Sequence, residues 1–288
     1  MNARNDRQLG ADDLVLDHLT LDWQHPLRDR VASAASAGCA GIGLLVNEYV
    51  RLCDGGFDIE ELADLLDEFD VALVDLEVVR VWPASERAVA TRARAERAAW
   101  QLADRFGCRC LQVVGPTRGD DLASTAARFG ELCDSAADHG LLVALEGLPF
   151  TDVAGEADAM RIIDAADRPN GGLCVDVWHH RRGPMASRTP LHRIPVERIF
   201  NVQLNDGPMV ADDEDYVVDC LRNRVPPGNG DMDVVGFMST LLARGVSVPW
   251  SIEVCSASGW AQPSTGWVEA CATGVRTALA QARARAGT

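Results

Sequence analysis

Four polar side chains close apolar runs, at places where an unpaired charge would be costly. Glu146 follows the run from Leu141 to Leu145, and Asp176 lies within the run from Gly172 to Val177. Gln203 lies within the run from Ile199 to Leu204, and Glu253 within the run from Val248 to Val254. Taken alone, a carboxylate at a strand end is more often a helix cap or an ion-pair partner. Three carboxylates and an amide on four successive strands are a different matter, because the carboxylates repel unless a cation joins them. An all-oxygen donor set suits Mg²⁺ or Mn²⁺ better than zinc. His179, three residues after Asp176, adds an imidazole that titrates near neutrality and suits acid-base work.

The elements that carry these residues follow from the periodicity. Short apolar runs alternate with longer stretches of helical spacing along almost the whole chain. Strands are expected at Leu14 to Leu21, Gly41 to Val46, Val71 to Val79, Cys110 to Val114, Leu141 to Leu145, Gly172 to Val177, Ile199 to Leu204 and Val248 to Val254. Helical patterns separate them, and Asp58 before Leu62, Leu65 and Leu66 reads as a helix cap. The stretches Arg181 to Pro195 and Asn205 to Gly230 read as irregular. Eight β/α units without a break predict a parallel sheet closed into a single (β/α)₈ barrel. An open doubly wound sheet needs a Gly-rich phosphate turn after its first strand, and His18-Leu19-Thr20-Leu21-Asp22 offers none. The expected organisation is a flexible tail over residues 1–13 and one barrel domain over residues 14–288. Barrel active sites lie at the C-terminal strand ends, where the four polar residues fall.

Composition narrows the chemistry. All 27 basic residues are arginine, so Schiff-base chemistry is excluded. A net charge of −16 repels nucleic acid and gives no attraction to anionic lipid. Nine cysteines without a CxxC pair read as buried free thiols of a cytoplasmic protein. No apolar run is long enough to span a membrane.

Several motifs together resemble the xylose-isomerase-like barrel superfamily of sugar phosphate isomerases and epimerases. They are Ala144-Leu145-Glu146-Gly147, Cys174-Val175-Asp176-Val177-Trp178-His179, Asn201-Val202-Gln203-Leu204-Asn205-Asp206, Pro227-Gly228-Asn229-Gly230-Asp231 and Ser251-Ile252-Glu253. The resemblance implies that Glu146, Asp176, Gln203 and Glu253 hold one divalent metal. It also implies that His179 and Arg224 contact substrate. Many epimerases of the family carry His where this chain has Gln203, and Gln at that position recurs in its 3-dehydroshikimate and keto-inositol dehydratases.

The expected activity is therefore isomerisation or epimerisation of a small polyhydroxy ketone, a sugar or cyclitol, through a metal-stabilised enediolate. Glu146 and Glu253 are the candidate bases and His179 the candidate acid. Loss of a β-hydroxyl from the same intermediate makes dehydration the alternative. Trp82 and Trp178 are candidates for an apolar wall against the substrate, with Glu77 at the end of strand three beside them; a packed aromatic rim is the alternative. His18 reads as a satisfied core histidine. A non-catalytic barrel subunit would lack a ligand, and a DNA-repair endonuclease on this fold would be richer in histidine. A homo-oligomer is expected by analogy with other barrels.

Overall fold

The structure is a computed structural model that describes residues 9–80, 82, 86–117, 119 and 121–287. Eight parallel strands close into a barrel in sequence order. They are β1 (Leu14–Leu16), β2 (Gly41–Leu45), β3 (Ala72–Arg80), β4 (Cys110–Val114), β5 (Leu142–Glu146), β6 (Gly171–Asp176), β7 (Ile199–Leu204) and β8 (Trp250–Ile252). Closure is direct, since Val15 of β1 registers with both Gly41 of β2 and Ser251 of β8. The helices are α1 (Leu27–Ser36), α2 (Val46–Asp54), α3 (Ile59–Phe69), α4 (Glu86–Phe106), α5 (Leu122–Ala137), α6 (Glu156–Ala166), α7 (Val177–Arg182), α8 (Tyr216–Arg222), α9 (Val234–Ala243), α10 (Ala257–Trp260) and α11 (Ser264–Ala286). One apolar core fills the layer between strands and helices, from Leu14 and Val31 through Phe129 to Val268 and Leu279.

The expected (β/α)₈ barrel is the observed fold, with local differences near the site. Strand one is shorter than its apolar run. Asp17 ends it by accepting from the Leu19 backbone N–H at 2.9 Å, and the Thr20 hydroxyl then ties the turn to the Ile252 carbonyl at 2.5 Å. Two helices start directly from strand ends. Val46 and Val177 look like the last strand residues, yet each opens a helix, α2 and α7. In α7 the cause is Asp176, whose Oδ1 accepts from the N–H groups of Trp178 and His179 at 2.6 and 3.2 Å. The loop after β7 contains α8, capped by Asp215.

Of the expected N-terminal tail, residues 1–8 lie outside the described residues. Residues 9–13 are tied down, because the Trp250 backbone N–H donates to Asp13 O and its indole N–H to Ala11 O, both at 3.0 Å. Among the described residues no helix is long and apolar enough to cross a membrane. All nine cysteines are free thiols, and eight are buried.

Candidate active site

The strand ends bring the four predicted donors to the C-terminal mouth of the barrel, and all four are buried. Glu146 ends β5. Its Oε2 accepts from Gln112 Nε2 at 2.9 Å, and its Oε1 lies 3.6 Å from His179 Nε2. Asp176 ends β6 and divides its oxygens. Oδ1 caps α7, and Oδ2 accepts from Asn205 Nδ2 and Arg224 Nη1, each at 2.9 Å. Glu253 follows β8 and accepts from the same Arg224 Nη1 at 2.6 Å. Gln203 in β7 donates to Asp17 Oδ2 at 3.1 Å, and its Oε1 faces Cys174 Sγ at 3.0 Å. Donor atoms of Glu146, Asp176 and His179 all lie within 4.8 Å of one another. Glu253 joins this set through Arg224, and Gln203 joins it through Gln112, whose Nε2 lies 3.4 Å from Gln203 Oε1.

Arg224 reaches the centre because its segment is stitched to two strand ends. Its backbone N–H donates to Cys255 O at 3.1 Å, and Val225 exchanges backbone bonds with Asp206 after β7. Asp206 in turn folds the Pro227–Gly230 turn by accepting from Gly228 N at 2.9 Å and Met232 N at 3.0 Å. Behind Arg224 lies the Trp178 ring, 5.6 Å from the guanidinium, with Arg182 stacked on that ring at 4.3 Å. Gly207 permits this packing, since a Cβ there would lie 2.4 Å from the ring. Arg182 also pairs with buried Asp219, which locks α8 onto α7. Locked this way, Tyr216 of α8 sets its hydroxyl 3.0 Å from His179 Nδ1.

The electrostatics favour a cation. Burial pushes the Glu146 carboxyl up to about 8, with Asp176 adding repulsion. Burial also raises Glu253 well above the usual carboxylate range, although Arg224 opposes it. Burial acts on Asp176 in the same sense, but Arg224 and His179 outweigh it and hold this carboxyl low. Burial pushes His179 down to about 4, so its ring is neutral at pH 7. Once ionised, these three buried carboxyls share one permanent positive charge among the described residues. The remaining deficit is about two charges, which a divalent cation matches, and the oxygen-rich donors with one imidazole fit such an ion.

Other predicted residues fall less simply. Trp178 has no exposed surface. It therefore supports Arg224 from behind, which revises the expectation that it walls the substrate. Trp82 is half-buried against the core, and its indole N–H has no hydrogen-bond partner among the described residues. Glu77 groups with Asp17 and His18, on the β1 and β3 side of the mouth. His18 Nδ1 lies 2.9 Å from Glu77 Oε2 but off hydrogen-bond geometry, so His18 is not the satisfied core histidine expected. Three members of the site were not singled out in the sequence, Asp17, Gln112 and Tyr216, and Asn205 was named only within a motif, without a role. Gln112 carried the signal that marked Gln203, a lone amide inside an apolar run.

Comparison with known proteins bears on the family and the fold. A 3-dehydroshikimate dehydratase of Pseudomonas aeruginosa is 28% identical over 248 residues, which cover 82% of this chain and 37% of that protein. The chain thus spans well under half the length of that relative. An inosose isomerase of Bacillus licheniformis is 32% identical over 140 residues, 47% of this chain and 48% of that protein. The crystal structure of the IOLI protein with a bound zinc atom superposes with a TM-score of 0.79 at 18% identity, covering 93% of this chain and 98% of that one. The family model described as the xylose isomerase-like TIM barrel matches residues 31–274. With the closed eight-stranded barrel, that match places the chain in the xylose isomerase-like TIM barrel family.

Proposed function

We propose that the protein is a divalent-cation-dependent dehydratase that removes water from a small cyclic β-hydroxy ketone of the 3-dehydroshikimate or keto-inositol kind. The observation that carries this reading is the pairing of two buried glutamates of different environment across one site. Burial raises the Glu253 carboxyl as it raises that of Glu146, but of the two only Glu253 contacts the Arg224 guanidinium, which opposes that rise, so Glu253 is assigned as the base that accepts the proton next to the carbonyl once a cation is bound. Glu146 touches no guanidinium and faces His179 Nε2 at 3.6 Å, so it is assigned to carry the proton to the departing hydroxyl. Together the two transfers remove one proton and one hydroxide, the elements of water. His179 is neutral and oriented by Tyr216, which suits it to hydrogen-bond a substrate oxygen and not to act as an imidazolium acid.

Glu146, Asp176, Gln203 and Glu253, with His179 in reach, would hold the cation. Bound there, Mg²⁺ or Mn²⁺ would polarise the substrate carbonyl as a Lewis acid. The similarity to a 3-dehydroshikimate dehydratase over most of the chain supports elimination, as does the amide at Gln203. The test is direct. Loss of water from 3-dehydroshikimate leaves an aromatic dihydroxybenzoate, whose ultraviolet absorbance should grow with Mg²⁺ or Mn²⁺ and not with EDTA. A second reading, isomerisation or epimerisation of a keto-sugar or keto-inositol, draws support from the inosose isomerase relative. It needs the same first proton transfer, followed by reprotonation. A shifted carbonyl or inverted centre without loss of water would favour it.

A further inference from the structure

We propose that Asp17, His18 and Glu77 form a second divalent-cation site, separate from the one around Asp176. The three come from two strands. Asp17 and His18 follow β1, and Glu77 lies in β3. One donor atom of each falls within 4.8 Å of the other two. His18 Nδ1 lies 2.9 Å from Glu77 Oε2 and 3.3 Å from Asp17 Oδ1. The side chains of Asp17 and Glu77 are fully buried, and that of His18 is 4% exposed.

A cluster of acids would not by itself point to an ion, but the unused donors do. Among the described residues no donor group serves either oxygen of Glu77 or pairs with His18 Nδ1; Glu77 meets only the Asp17 carboxyl, a contact that needs a shared proton. Buried polar atoms are almost always paired, so donor atoms left without a conventional partner in one cluster call for one. No cationic side chain supplies one among the described residues. Arg30, the guanidinium on the neighbouring helix, is taken up by both oxygens of Glu48 and by His25 O. Arg109 lies beside Asp75, at 3.9 Å. Gly43 makes room for Glu77 to turn inward, since a Cβ there would lie 2.7 Å from Glu77 Oε1. An ion also has a route in, because His18 lines a cavity of about 770 Å³ that opens between Trp23, Glu48 and Trp260.

Two carboxylates and one imidazole suit Mn²⁺ or Zn²⁺. The competing occupant is a proton shared between Asp17 and Glu77. Asp17 Oδ2 also holds Gln203 Nε2, so a filled second site would fix the amide orientation at the first.

Metal counting on the full chain separates the possibilities, with Mn²⁺ as the probe and elemental analysis after dialysis as the readout. The wild type is expected to retain two ions. Glu77→Gln and His18→Asn should each retain one, Asp176→Asn should retain one, and Glu77→Gln combined with Asp176→Asn none. Circular dichroism establishes that each variant is folded, and two independent ligand variants guard against one that is not. A wild type with a single ion, kept in Glu77→Gln and lost in Asp176→Asn, overturns the second site and leaves the proposed reaction standing. A single ion lost in Glu77→Gln but kept in Asp176→Asn supports this site and overturns the first.

Discussion

Stripping divalent cations from the protein and raising the pH from 5 to 8 should destabilise it progressively. Glu146 and Glu77 each titrate at about 8 in the folded chain, against an ordinary value of 4.5. Between those values the folded state binds more protons than the unfolded state, so stability falls as pH rises. Each glutamate's contribution is fully present below about 4.5 and lost as the pH climbs through 8. A tenfold change in proton affinity between the two states is worth about 1.4 kcal/mol, so each group removes up to roughly 4 kcal/mol over this pH range. Against a total stability of about 5–15 kcal/mol that is a large loss. Carboxyls held low by their partners, such as Asp176, act in the opposite sense but finish titrating below this window, whereas His179, held at about 4 against an ordinary 6.5, offsets up to about 2 kcal/mol of the loss between pH 5 and 6.5. A cation that binds only the folded state restores about 2.7 kcal/mol at 100 times its dissociation constant. It also displaces protons, so its affinity should rise with pH up to about 8. Urea unfolding of EDTA-treated protein at pH 5, 6, 7 and 8, with and without Mn²⁺, measures both effects. Metal-free stability that stays flat or rises across this range would refute the charge reading of the site.

Other expectations follow from single contacts. Glu146→Gln and Glu253→Gln should each keep the fold and lose at least about a hundredfold in turnover, read by circular dichroism and steady-state kinetics. Arg224→Met leaves Asp176 and Glu253 without their guanidinium, so urea titration of the metal-free protein should show a loss of about 3–5 kcal/mol. Gly207→Ala drives a methyl into the Trp178 ring and should cost about 1–3 kcal/mol, seen as a lowered melting temperature.

The barrel was legible because its strands are apolar runs at regular spacing and its longer helices carry clear caps and faces. Elements that start without punctuation were not. Val177 reads as the last residue of a strand, and only the Asp176 side chain turns it into the first residue of a helix. The seven residues of α8 are too few for a periodic signal after the acidic run Asp212 to Asp215. Within the site, charged or amide side chains closing apolar runs were visible because burial makes them costly. Asp17 was hidden by the apparent continuation of strand one through Leu19 and Leu21. Tyr216 was hidden because its link to His179 depends on how α8 docks, which the Arg182–Asp219 pair decides across 37 residues of chain. Trp178 shows the limit from the other side. Residue type at a strand end suggested a substrate wall, but which way its ring turns depends on Gly207 and on the stacking of Arg182 and Arg224.

Solvent exchange at the carbon next to the substrate carbonyl tests the central claim most directly. The protein loaded with Mg²⁺ would be incubated in D₂O with 3-dehydroshikimate, a keto-inositol and a ketohexose in turn, and followed by proton NMR. Loss of the α-proton signal from one of them, absent with EDTA and in Glu253→Gln, is the predicted result. Retention of that signal in all three substrates, with the cation bound, would contradict cation-assisted proton removal at this site.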